Sequence, residues 1–139
     1  MISESIIKIL RNDTTLRTLL GATTSNDAPI FSEFNFDDTV PKQINVEVEY
    51  GTSVAFEQTA QTHDGTLRVY ILVKDNIVEP IKALNDIAER VLTLLDLKGT
   101  TLDTDRKIYW IQKLNSDFTH YEDIKYYEIA LQFRFVYSE

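Results

Sequence analysis

The sequence predicts an α+β fold: a mostly antiparallel sheet of four to five strands, with an N-terminal helix and one long helix packed on one face, in the order α-β-β-β-α-β-β. Three observations lead there. Leu67, Val69, Ile71 and Val73 alternate with Arg68, Tyr70, Leu72 and Lys74, the period of a half-buried strand. Pro80 opens a run in which Ile81, Leu84, Ile87 or Ala88, Val91 and Leu95 recur at helical spacing. The chain then closes on a second alternating run, with Tyr127, Ile129, Leu131, Phe133, Phe135 and Tyr137 on one face.

The first helix carries Ile6, Ile7, Ile9 and Leu10, with Ser3 as its expected cap. Asn12-Asp13 interrupts it. Asp13 is placed to cap a short continuation through Leu16, Leu19 and Leu20, which Gly21 ends. Ile30 and Phe31 mark a short strand or extended arm, with Phe34 and Phe36 following among acidic residues. After Pro41, Ile44, Val46, Val48 and Tyr50 alternate with Asn45, Glu47 and Glu49 as a strand.

Residues 51–65 read as a long polar loop, rich in Thr, Ser and Gln, with Asp64-Gly65 as a turn signal. A connection of that length is uncommon inside a compact domain and is usually functional or mobile. In the long helix Lys82, Asp86, Glu89 and Arg90 take the outer face, and Gly99 is its expected stop. Ile108, Trp110 and Leu114 alternate with Tyr109 and Ile111 in a penultimate strand, where Trp110 reads as core. The last strand, at about 3.3 Å per residue, spans about 45 Å. So long an apolar edge is hazardous if bare, so it either lies centrally or pairs with a neighbouring subunit.

A chain of 139 residues without an internal repeat fits one domain, residues 1–139. No apolar run approaches the roughly 20 residues of a membrane span. The start of the chain lacks a basic segment followed by a small-residue cleavage site, so residence in the cytoplasm of the producing cell is expected. The net charge of −8 repels a phosphate backbone, which disfavours nucleic-acid binding while permitting an acidic wall past which DNA slides.

Chemistry is hard to find. The absence of cysteine removes disulfides, thiolate nucleophiles and most zinc sites. His63 and His120 read as loop residues with no second histidine at metal spacing. Asp37-Asp38 and Glu122-Asp123 are adjacent acids of a solvated surface, whereas acid/base work needs two carboxylates in unlike environments. The four glycines punctuate element ends and form no phosphate loop. No catalytic, cofactor or metal residue is expected, and the chain reads as a non-enzyme that works by assembly.

The arrangement resembles the tail completion or tail terminator (head-tail joining) proteins of long-tailed bacteriophages. The broken opening helix through Gly21, the strand 44–50 after Pro41, the strand 66–74 running into the helix with its Ile87-Ala88-Glu89-Arg90-Val91 centre, and the two closing strands carry that resemblance. Many members place a Trp near the end of the strand before the long helix, where this chain has Ile71-Leu72-Val73-Lys74-Asp75. The resemblance implies a structural virion protein at the head-proximal end of the tail, assembled in the host cytoplasm. It would form a ring, as a hexamer, stop polymerisation of the tail tube protein and dock the head connector. Genomic DNA would pass through the lumen without specific binding. The alternatives are another neck or tail component, such as a head-closure or tube protein, or a small-ligand-binding domain or enzyme with no recognisable site.

Candidate assembly or lumen residues follow from the acidic strand, the polar loop and the closing strand. They are Glu47, Glu49, Thr52, Ser53, Phe56, Glu57, Gln58, Gln61, His63 and Tyr137.

Overall fold

The computed structural model describes residues 2–32, 35–53 and 62–138. The element order is α1 (Ile2–Arg11), α2 (Thr14–Leu20), β1 (Ile30–Ser32), β2 (Lys42–Ser53), β3 (Thr62–Lys74), α3 (Pro80–Leu95), a 3-10 turn (Gly99–Thr101), β4 (Ile108–Tyr121) and β5 (Tyr126–Ser138). One five-stranded sheet has the order β1-β2-β3-β5-β4. Every pairing is antiparallel except β1 with β2, which is parallel.

All three helices share one buried cluster with the odd-numbered side of β3. Ile2, Ile6 and Leu10 of α1, Leu16 and Leu20 of α2, and Leu84, Ile87, Val91 and Leu95 of α3 pack with Leu67, Val69, Ile71 and Val73. Strand register explains the match, because Ile44, Val46 and Val48 lie opposite Ile71, Val69 and Leu67, with Ile129, Leu131 and Phe133 on the other flank. Side chains alternate across a strand, so one register places these apolar residues of three strands together on the helix side.

The Asp13 cap forms as its sequence context predicts. Its carboxylate accepts from the Leu16 amide at 2.8 Å. It also accepts two bonds from Arg90 of α3, at 2.9 and 2.7 Å, tying α2 to the long helix. That guanidinium holds the Asp13 carboxyl below the usual carboxylate range, its bond being the largest influence. Gly21 ends α2 at φ 79°, a left-handed position that suits glycine.

Several expectations shift. Ser3 lies inside α1, which already includes Ile2, and so is not its cap. β2 and β3 run further than the alternation indicated, to Ser53 and from Thr62, so most of the expected 51–65 loop that is described is strand. Asp64-Gly65 sits within β3, paired with Val136 and Phe135. A Cβ on Gly65 would lie 2.5 Å from Cζ of Phe135, so the glycine makes room for a ring instead of turning the chain. α3 stops at Leu95, four residues before Gly99, which instead opens the 3-10 turn at φ 40°.

β5 lies centrally, paired along its length with β3 on one side and along nearly all of it with β4 on the other. The edge is β4, and it is twice the length the sequence suggested. Register breaks between Ile108 and Trp110 and between Lys113 and Asn115 put Ile108 and Ile111 inside, while Trp110 and Leu114 stay 36% and 52% exposed. Trp110 is therefore not core; Arg134 lies over its ring at 5.7 Å.

Candidate assembly surface

The residues expected to form one surface are divided by the sheet. Glu47 and Glu49 point to the helix-free side, where Arg68 Nη1 on the neighbouring strand donates to both carboxylates at 3.0 Å. Both acids thereby hold the Arg68 proton more firmly, Glu49 contributing most. The pair is a cross-strand clamp around a cation as much as an acidic wall.

His63 and Tyr137 lie on the helix side, paired with one another across β3 and β5. Tyr137 is only 3% exposed and therefore packs within this chain. Its ring meets Tyr50 at 5.7 Å, His63 at 5.4 Å and Phe135 at 5.4 Å, and Arg106 lies 5.9 Å from its centre. Tyr126, at the start of β5, is fully buried and donates its hydroxyl to the Val40 carbonyl. Thr52 and Ser53 belong to the end of β2. Phe56, Glu57, Gln58 and Gln61 lie outside the described residues.

Two regions escaped the sequence reading. The first is the outer edge of β4, which has no neighbouring strand among the described residues. Its near half is covered by the chain following α3: the Leu97 amide donates to the Ile111 carbonyl at 3.0 Å, and the Lys113 amide to Asp96 Oδ1 at 2.8 Å. From Leu114 to Tyr121 the strand carries no such cover among the described residues, and Leu114 and Phe118 are 52% and 56% exposed. The polar run Asn115-Ser116-Asp117 concealed this half, because a strand packed on neither face shows no apolar alternation.

His120 sits in that half of β4, not in a loop. Its ring stacks on Tyr127 at 4.2 Å, and its Nε2 lies 3.0 Å from Asp75 Oδ2. His63 is likewise a strand residue.

The second region is on the helix-free face. Residues 36–40 cross it as a strap held by Gln43, which is fully buried. Gln43 Oε1 accepts from the Asp37 amide at 3.0 Å and its Nε2 donates to the Asp37 carbonyl at 2.6 Å. Beside the strap lies a pocket of about 290 Å³ lined by Phe36, Asn45, Glu47, Tyr70, Leu72, Tyr121, Ile124 and Glu128. Burial pushes the Glu128 carboxyl above its ordinary range, although the Tyr121 hydroxyl donates to it at 3.1 Å. Burial also raises the Tyr70 and Tyr121 hydroxyls. Only the placement of polar residues at 45, 47, 70 and 128 on one side of three strands hinted at this site.

A larger cleft of about 870 Å³ runs between α1 and the β1–β2 edge, lined by residues such as Lys8, Arg11, Phe31 and Val48. Arg11 spans it, donating to the Ile30 carbonyl from Nη2 at 2.6 Å and so fastening β1 to α1. Among the described residues no group of three or more His, Asp or Glu is placed to hold a metal ion. No described helix is long and apolar enough to cross a membrane.

The chain shares its fold with a chain of a gene transfer agent virion. A chain from the structure of the "virion of native gene transfer agent (GTA) particle" superposes with a TM-score of 0.77 at 14% identity, covering 99% of this chain and 95% of the other. A second solved structure, whose name carries no function, matches with a TM-score of 0.60 at 9% identity over 100% of this chain and 98% of its own. No family model matches the sequence. No curated protein matches it either. At these identities the likeness is one of fold.

Proposed function

We propose that this chain is a non-enzymatic structural protein of a phage-like virion. In this reading it caps the head-proximal end of the tail tube as a ring, stops tube polymerisation and provides the joint to the head connector. The observation that carries the reading is the full-length likeness to the gene transfer agent virion chain. The sequence resemblance to tail terminators supplies the position within the particle.

Three features of the molecule support assembly. Among the described residues no strand pairs with the open half of β4, which also exposes Leu114 and Phe118, the form of edge that a second chain extends. A ring needs two different patches on each copy, and β4 and the β1 edge at opposite ends of the sheet provide them. The net charge of −8 suits a lumen through which DNA slides without adhering. The partners are then further copies of the chain, as a hexamer, with the tube protein and the head connector.

Negative-stain imaging of the purified protein, alone and with tail tubes from the same source, tests this. Rings with a central hole, or tubes closed at one end, are the expected result, and Phe118→Asp should abolish both while leaving the circular dichroism spectrum unchanged. Tubes that stay open while the protein binds head portals would move it to the head-closure position. Single particles that bind neither would end the assembly reading.

A further inference from the structure

The pocket on the helix-free face has a chemical bias toward hydrogen-bond acceptors. Asn45 is only 6% exposed. Its Nδ2 donates to Gln43 Oε1 at 3.3 Å, which leaves Oδ1 as the free end. Oδ1 is buried and has no hydrogen-bond partner among the described residues. A buried acceptor left in that state costs about 1–3 kcal/mol, so it marks a place where a donor is missing.

The remaining polar lining is of the same kind. Glu47 and Glu128 contribute carboxylates, Tyr70 and Tyr121 contribute hydroxyls, and no lysine or arginine lines the cavity. Glu47 already shares Arg68, whereas Glu128 receives the neutral Tyr121 hydroxyl. Desolvation disfavours the Glu128 carboxylate, and an approaching cation would offset that cost. Phe36, Leu72 and Ile124 complete the wall with apolar surface suited to an alkyl stem.

We infer that this pocket receives an alkylguanidinium group, the side chain of an arginine presented by another protein of the assembly. Asn45 on β2 pairs with Tyr70 of β3, whereas Glu128 on β5 pairs with Leu72, so their backbones stand two strand spacings apart across the sheet and two residues apart along it, about 12 Å. A compact ammonium engages one of them. A guanidinium spreads five N–H donors in a plane, is weakly hydrated, and suits side-chain acceptors that converge from both sides of β3. The source of the arginine rests on the assembly reading; the chemistry of the pocket does not.

The test uses n-butylguanidinium as probe and neutral n-butylurea as its near-isosteric control, titrated into the isotopically labelled chain at fixed ionic strength and followed by amide chemical shifts. Saturable shifts confined to Asn45, Tyr70, Leu72 and Glu128 are expected with the cation, at millimolar affinity, with butylurea at least about tenfold weaker. Asn45→Leu should abolish the shifts, and Glu128→Gln, which keeps the shape, should weaken them several-fold. Absent shifts, equal binding of the two probes, or binding that survives Asn45→Leu would overturn the assignment without touching the assembly reading, which imaging decides separately. Capping of tubes by Asn45→Leu at the native level, after butylguanidinium binding is lost, would overturn the partner arginine as the occupant.

Discussion

The two faces of the sheet are built on different principles. On the helix face, apolar residues from all five strands and three helices meet in one buried cluster. On the other face the only cover described is the strap at residues 36–40, and the buried residues there include Gln43, Asn45 and Tyr126. The first face is held by non-directional burial, which tolerates no charge. The second is held by directed hydrogen bonds, each of which needs its own partner. Stability therefore resides on the first face, and the second is free to carry recognition.

Substitutions on each side sharpen that contrast. Ile87→Asp buries a charge in the centre of α3, at a position with no exposure, and should unfold the chain. A loss of more than about 4 kcal/mol is expected, read as the disappearance of the cooperative thermal transition. A folded Ile87→Asp protein would mean that the helix face is not the stability core.

Gln43→Ala attacks the second face. It removes the bonds to the Asp37 amide and carbonyl and leaves those groups to find water. A loss of about 1–3 kcal/mol in denaturant titration is expected, with faster hydrogen exchange at the strap and none at α3. A loss as large as that of Ile87→Asp would erase the distinction between the faces.

Glu128→Gln should have the smallest effect, and of opposite sign. Burial raises the folded pKa of this acid, so the folded state holds its proton to higher pH than the unfolded chain does. Stability then falls as pH rises from the usual glutamate range through the raised pKa, and levels off above it. At neutral pH the glutamine variant should equal or exceed the parent in stability, by no more than about 1 kcal/mol, and should lack that decline. A destabilised variant with an unchanged pH profile would show that Glu128 acts through its bond with Tyr121 instead.

How much of this was legible beforehand follows the same division. Alternation in β3 and β5 and the spacing in α3 were visible because each element buries one face against a shared core, which imposes a period on the residues. The Asp13 cap and the Gly21 stop were visible because they are local chemistry. Gly65 misled because glycine serves turns and close approaches alike, and the ring it admits, Phe135, lies seventy positions along the chain. Trp110 misled because one bulge beside it moves it to the other side of β4. Of the candidate surface residues, Glu47 and Glu49 are partly engaged by Arg68, and Tyr137 is interior.

The sequence by itself determined the α+β class, the order and type of the main elements, and which side of β3 and β5 is buried. These depend on periods and caps that extend over a few residues. Tertiary structure alone decided that β5 is central and β4 the open edge, that β1 joins in parallel, and that an unpartnered Asn45 oxygen and Glu128 share a pocket across three strands. Those outcomes depend on which distant strands pair and in what register, and a one-residue bulge or shift there exchanges the two faces without changing any local pattern.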